Sequence, residues 1–185
     1  MKMNKTEHIT TYTGIDFTPL EPDISQIKIE DIAHALSFLC RANGHITRFY
    51  SIAQHSINCA KEAKARKYSI RVQLACLIHD ASEAYISDIT RPVKRYLNEY
   101  LKIEKVLQGA VYERFIGNLT EEENALVAQI DNEMLAYEMN ALMCKKIFAQ
   151  TPVMESVPLL ETVDFIECEN EFLRIFDGLF IENAN

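Results

Sequence analysis

The chain has 185 residues, 48% of them hydrophobic, with 27 acidic against 19 basic side chains and a formal net charge of −8. That length and apolar content suit one globular domain, 1–185, around a single substantial core. An acidic chain without a basic stripe is a poor match to a nucleic-acid polymer. A small anionic substrate stays open, because a local cation or metal ion outweighs a remote net charge.

In chain order, the first segment, ITTYTGIDFTPLEP, reads as a short hairpin or extended arm within residues 1–26, turning at Gly14 and ended by Pro19 and Pro22. Apolar periodicity then predicts a helix over about 29–41, with Ile32, Ala35, Leu36 and Leu39 on one face and Gly44 as its stop. A second helix is expected over about 46–66, carrying Phe49, Ile52, Ala53, Cys59, Ala60 and Ala63, and a third over about 69–84, carrying Ile70, Leu74, Leu77, Ile78 and Ala81. Pro92 breaks the chain near 88–92. Asn98 is then read as the cap of a helix to about 116, ending at Gly117. Thr120 with Glu123 forms a capping box for a long helix to about 149. After a proline-containing linker, a last helix is expected over about 162–180.

The five cysteines, Cys40, Cys59, Cys76, Cys144 and Cys168, form no CxxC pair, and their odd number argues against a disulfide framework. They read as small buried hydrophobes in a reducing cytosol. The start, MKMNKTEHITTYTG, lacks the apolar run of a signal peptide, and no stretch approaches the roughly 20 apolar residues of a membrane span. A soluble, cytoplasmic all-α helical bundle with a short N-terminal hairpin is expected.

The stretch LACLIHDASEAYISDITRPVK, residues 74–94, sets His79 and Asp80 side by side directly after a buried run. On a continuous helix Glu83 would share the face of His79, and Asp80 would lie a step round. Imidazole nitrogen with carboxylate oxygen suits a borderline divalent ion such as Mn, Fe, Co, Ni or Zn. His55 stands in the apolar stripe between Ile52 and Cys59, and Asp131 in the stripe between Val127 and Leu135. Taken singly, His55 has the plainer reading of a hydrogen-bonded core histidine, and Asp131 that of an exposed carboxylate at a stripe's edge. Four such residues on three amphipathic helices favour a shared purpose, because a buried carboxylate is normally paired or given to a metal.

The strings FYSIAQHS, LIHDASEAYISDITRPVK and AQIDNEMLAYE occur in that order over residues 27–145. They resemble the HD-domain metal-dependent phosphohydrolases, in particular the 5′-deoxynucleotidase-like branch that takes in the YfbR- and YfdR-like proteins. The resemblance implies metal ligands His55, His79, Asp80 and Asp131, and a single divalent ion (Mn, Co, Fe, Ni, Zn or Mg). It implies that Glu83 and Asp88 stand beside the reacting water and phosphate as general acid and base. Arg41, in LCRANGH, is similar to the branch's phosphate-binding arginine, with His45 and Arg91 as further candidate substrate contacts. Where better-known members continue Arg-Trp, this chain continues Ala-Asn-Gly-His and has no tryptophan. His45 has the plainer reading of a helix-end residue, and Arg91 and Lys94 that of solvated cations.

The activity implied by the resemblance is hydrolysis of the 5′-phosphate from (deoxy)nucleoside monophosphates. The competing expectations are a non-catalytic nucleotide- or metal-binding module, a hydrolase of another phosphate ester such as an alarmone or cyclic nucleotide, and a structural dimer-forming bundle. A homodimer is implied, for which Phe165, Phe172, Leu173, Phe176, Leu179 and Phe180 of the last helix offer a surface, unless they close the core.

Overall fold

In the computed structural model, which describes residues 8–184, a hairpin of β1 (Ile9–Thr10) and β2 (Asp16–Phe17) pairs antiparallel, with Ile9 opposite Phe17 and Thr10 opposite Asp16. Residues 1–7 of the expected arm lie outside the described residues. The turn places Gly14 at a φ of 84°, a left-handed value that glycine adopts without steric cost. Asp31 ties the hairpin to the bundle, accepting from the Thr13 N–H at 2.6 Å and the Thr13 hydroxyl at 3.0 Å. Phe17 is fully buried, its ring 4.4 Å from that of Tyr85.

The rest is helical: α1 (Ile29–Phe38), α2 (Ile52–Ala65), α3 (Ile70–Ile78), the one-turn α4 (Glu83–Ile86) and α5 (Arg91–Lys94), then α6 (Asn98–Phe115), α7 (Glu121–Leu142) and α8 (Phe165–Ala184). The expected all-α bundle with an N-terminal hairpin is what the chain adopts. Helix α2 packs on α3, and α8 closes over α1, α2 and α3. The buried residues of all four, with Phe17 from the hairpin, form one apolar cluster. Phe172, Phe176 and Leu179 of α8 are in it, whereas Phe165 and Phe180 remain 40% exposed. Most of that aromatic stripe therefore closes the core. Burying Phe172 contributes about 1.5–3 kcal/mol.

Several helix ends differ from the periodicity, each for a local reason. α1 stops at Phe38 and α2 waits until Ile52, because the segments between pair as extended chain. The Arg41 N–H donates to the Tyr50 carbonyl, the Ile52 N–H donates to the Leu39 carbonyl, and Cys40 bridges Ser51. Ser51 then caps α2, its hydroxyl accepting from the Gln54 N–H. Phe49 thus lies outside the helix, more than a third exposed.

The third helix breaks after Ile78, so His79 and Glu83 do not share a helical face; a tight turn carries the Glu83 N–H to the Asp80 carbonyl. Pro92 opens α5 instead of merely interrupting the chain. Asn98 is the first residue of α6 and not its cap. Successive turns from Thr90 deliver the chain at Leu97, whose carbonyl accepts the first helical bond.

The Thr120–Glu123 capping box is present in both directions. α7 ends at Leu142, seven residues before the expected limit, since the Leu142 carbonyl accepts from the Thr47 N–H and the Asn140 amide folds the next segment back. Asp164 starts α8, accepting from the Ile166 N–H. Of the cysteines, Cys59, Cys76 and Cys168 are buried, but Cys40 is half-buried and Cys144 exposed; all are free thiols. No helix among the described residues is long and apolar enough to cross a membrane.

Candidate metal centre

His55 is one turn into α2 and fully buried. His79 and Asp80 follow the last residue of α3, where the break in the helix turns both side chains toward α2 and α7. Asp131 comes from the middle of α7. The four residues singled out in sequence converge. His55 Nε2 is 3.3 Å from His79 Nε2, 3.4 Å from Asp131 Oδ1 and 3.9 Å from Asp80 Oδ2. His79 Nε2 is 3.3 Å from Asp80 Oδ2 and 3.8 Å from Asp131 Oδ1. Donors bound at about 2.1 Å to one ion stand roughly 3.0–3.4 Å apart, so the set is spaced for a cation, slightly open.

A softer donor lies alongside. Cys59, one turn after His55, places Sγ 3.5 Å from His55 Nε2, and the His55, Cys59 and His79 donors lie within 4.8 Å of one another. These three form a group that could hold a metal ion. The two carboxylates add the negative charge that a divalent ion requires, whereas the buried Cys59 thiol is pushed well above its ordinary pKa.

Both imidazoles are oriented from behind. His79 Nδ1 is 2.8 Å from the Cys76 carbonyl, which fixes this nitrogen as the donor and leaves Nε2 to face the site. His55 Nδ1 lies 2.9 Å from each carboxylate oxygen of Glu138. Glu138 is fully buried, accepts from the Tyr50 hydroxyl at 2.5 Å, and lies 3.5 Å from the Arg41 guanidinium. The sequence reading missed Glu138, although it stands seven residues after Asp131, two turns along the same helix face.

The charges are tightly interlocked. Burial alone would lower both histidines, but Asp80 and Asp131 outweigh it at His79, raising it to about 9, and Glu138 and Asp131 raise His55. Burial opposes ionisation of Asp131 and Glu138 too; hydrogen bonds and charge from the histidines nevertheless hold both below the ordinary carboxylate range. Glu83 moves the other way. Burial, then the neighbouring Asp80 and Asp88 charges, push its carboxyl well up.

Beside the centre opens a cavity of about 570 Å³, whose polar lining includes Arg41, His45, Asp80, Glu83, Asp88, Arg91, Lys94 and Asp131. Its apolar lining includes Leu135, Met139, Met143, Ile147 and Phe148. Every candidate catalytic and substrate residue of the sequence reading thus faces one space. Arg41 is buried and reaches Asp80 Oδ2 at 3.4 Å, while His45 is exposed. Of the two cations read as solvated, Lys94 departs: it is half-buried and pairs with Glu83 at 3.4 Å and also with Glu104. Arg91 is exposed as expected, yet pairs with Asp131 Oδ2 at 2.9 Å while donating to Asn132. Oε2 of Glu83 is buried without a hydrogen-bond partner among the described residues.

No family model matches the chain. It is 33% identical over 177 residues to the uncharacterized protein YfdR of Escherichia coli (strain K12), an alignment covering 96% of this chain and 93% of the relative. It is also 40% identical over 102 residues to the uncharacterized protein RCAP_rcc00048 of Rhodobacter capsulatus, covering 52% of each. The chain belongs to the YfdR family.

Proposed function

We propose that this member of the YfdR family is a divalent-metal-dependent phosphohydrolase of the HD-domain type that removes the 5′-phosphate from (deoxy)nucleoside monophosphates. The observation that carries this reading is the convergence of two imidazole nitrogens and two carboxylates, 3.3–3.9 Å apart, at the wall of a cavity that also receives Arg41. That donor set fits a borderline ion such as Mn, Fe, Co, Ni or Zn, with Mg as the harder alternative. His55, His79, Asp80 and Asp131 would hold it, and it would supply Lewis acidity toward a phosphoryl oxygen and water.

The chain's own residues do the rest. Arg41, always charged and forked, binds two phosphate oxygens. His45 and Arg91 at the rim contact the remaining anion or sugar. Glu83 and Asp88 share the proton work, orienting the water that attacks phosphorus and returning a proton to the leaving 5′-oxygen. The phosphorus–O5′ bond breaks, giving a nucleoside and orthophosphate. The apolar side chains that line the cavity accommodate the base. The same reading makes the protein a cytoplasmic homodimer.

The test is phosphate release from each deoxy- and ribonucleoside 5′-monophosphate by metal-stripped protein, resupplied singly with Mn, Co, Mg or Zn, with Asp80→Ala run alongside. Metal-dependent release that disappears in the variant supports the reading. No release from any monophosphate by protein that has taken up metal refutes it and favours a binding module or another ester.

A further inference from the structure

Glu138 has no place in the chemistry above, yet it touches both a candidate metal ligand and the candidate phosphate-binding arginine. Its carboxylate lies 2.9 Å from His55 Nδ1, behind a candidate metal ligand. Its other contact of consequence is the Arg41 guanidinium, 3.5 Å from Oε2. Arg41 in turn divides itself between Glu138 and Asp80, a second metal ligand, at 3.4 Å. A chain of contacts therefore runs His55–Glu138–Arg41–Asp80, both of its ends being candidate metal ligands and Arg41 lining the cavity.

We propose that Glu138 is a positioning residue that couples metal binding to phosphate binding by holding His55 and Arg41 at once. This rests on the phosphohydrolase reading, since it takes phosphate as the anion that Arg41 receives. Without a cation at the centre, Asp80 competes for the guanidinium, and Arg41 is divided between two carboxylates. When a cation engages Asp80, that competition weakens, while Glu138 keeps the other side of the guanidinium fixed. One arm of Arg41 then points into the cavity, oriented instead of free. Glu138 can perform this because it is itself immobile: it is fully buried, the Tyr50 hydroxyl donates to Oε1 at 2.5 Å, and the Asn58 amide donates to that hydroxyl at 2.8 Å. A buried, fully partnered carboxylate is a rigid post where an exposed one would swing.

The experiment is a double-mutant cycle on cobalt-loaded protein, reading orthophosphate affinity by calorimetry and the cobalt absorption spectrum together. Wild type, Glu138→Gln, Arg41→Ala and the double variant are compared. Glu138→Gln should weaken orthophosphate binding at least about fivefold, the lower end of ordinary coupling between sites. It should also perturb the cobalt spectrum through His55. In the Arg41→Ala background the same change should cost less than about twofold, because the residue through which it acts is gone. Tyr50→Phe, which loosens Glu138 but keeps its charge, should act in the same direction more weakly, and it decides the matter if Glu138→Gln does not fold.

Equal losses in both backgrounds, or a changed spectrum with unchanged phosphate affinity, would overturn the coupling and leave Glu138 as a support for His55 alone. Those outcomes would leave phosphate release from monophosphates intact. Failure of the phosphohydrolase reading would instead appear as wild-type, cobalt-loaded protein that binds no orthophosphate.

Discussion

Two glutamates of this protein, Glu62 and Glu138, are completely buried, and they are buried for different ends. Glu62, near the end of α2, accepts from the backbone N–H groups of Glu155 and Ser156, the Ser156 hydroxyl and the Arg66 guanidinium. Those donors belong to the segment before α8 and to its own helix, and none lines the main cavity. Glu138 takes its contacts from His55, Tyr50 and Arg41, two of which belong to the candidate centre. Burial of a carboxylate is therefore not itself a mark of chemistry. What distinguishes the two is where the other ends of their partners lie.

The distinction fails if removing Glu62 damages the site. Glu62→Ala strips the loop anchor and removes one of the two carboxylates paired with Arg66, so it should lower stability by about 3 kcal/mol in urea unfolding, the cost of removing a buried, multiply hydrogen-bonded carboxylate. Cobalt uptake and turnover per folded molecule should stay unchanged. A smaller stability loss with a large loss of metal would show that α2 transmits strain from Glu62 to His55, and that the two glutamates are not separable.

A gentler form uses pH. Burial would raise the Glu62 carboxyl, but the hydrogen bonds from Ser156, the Glu155 N–H and Arg66 outweigh it and hold the pKa below 4.5. A folded-state pKa below the unfolded one means that the stabilisation is complete above about pH 4.5 and is lost as pH falls through the lowered value. Wild type should therefore lose stability on acidification below that point more steeply than Glu62→Gln. Unfolding midpoints of both proteins across the acid range check this, and parallel curves would contradict it.

These two carboxylates also mark how far the sequence could be read. His55, His79, Asp80 and Asp131 were legible because each interrupts or ends an apolar stripe, and such an interruption costs free energy unless it is used. Glu138 was hidden in a helix that carries Glu121, Glu122, Glu123 and Glu133, where one more glutamate reads as solvated surface. Of the partners of Glu62, Arg66 stands four residues on, but Glu155 and Ser156 are about ninety residues further along the chain, beyond any local pattern. The helix ends failed for a related reason. The pairing of Leu39–Arg41 with Tyr50–Ile52 and the fold-back on Asn140 are tertiary decisions, whereas the Thr120–Glu123 box is local and was read correctly.

Asn140 offers a finer, smaller test on the Glu138 side. Its amide accepts from the Ile147 and Phe148 N–H groups and donates to the Phe148 carbonyl and the Thr151 hydroxyl, which fixes the apolar wall of the cavity. Asn140→Ala should cost about 1–2 kcal/mol of stability. Under the proposed function it should also raise KM for nucleoside monophosphates several-fold with little change in kcat, since it disturbs the wall and not the reacting groups. A fall in kcat with unchanged KM would place the loop's influence on the chemistry instead.

The smallest effect concerns the backbone that delivers Arg41. Ala42, Asn43 and Gly44 come after it with φ values of 51°, 51° and 76°, a run of left-handed residues at the cavity's edge. Glycine and, less freely, asparagine adopt that region readily; alanine does so only at a steric cost, because its Cβ crowds the carbonyl. Ala42→Gly should therefore stabilise the fold by about 0.5 kcal/mol, the relief of strain exceeding the extra entropy of the unfolded chain. Asn43→Gly should change it less, since asparagine already accepts the geometry. If the strained alanine serves to keep Arg41 aimed, the gain in stability will come with weaker orthophosphate binding. A variant that is both more stable and equally tight would show that the turn is merely tolerated, and that the side-chain partners of Arg41 orient it without help from the turn.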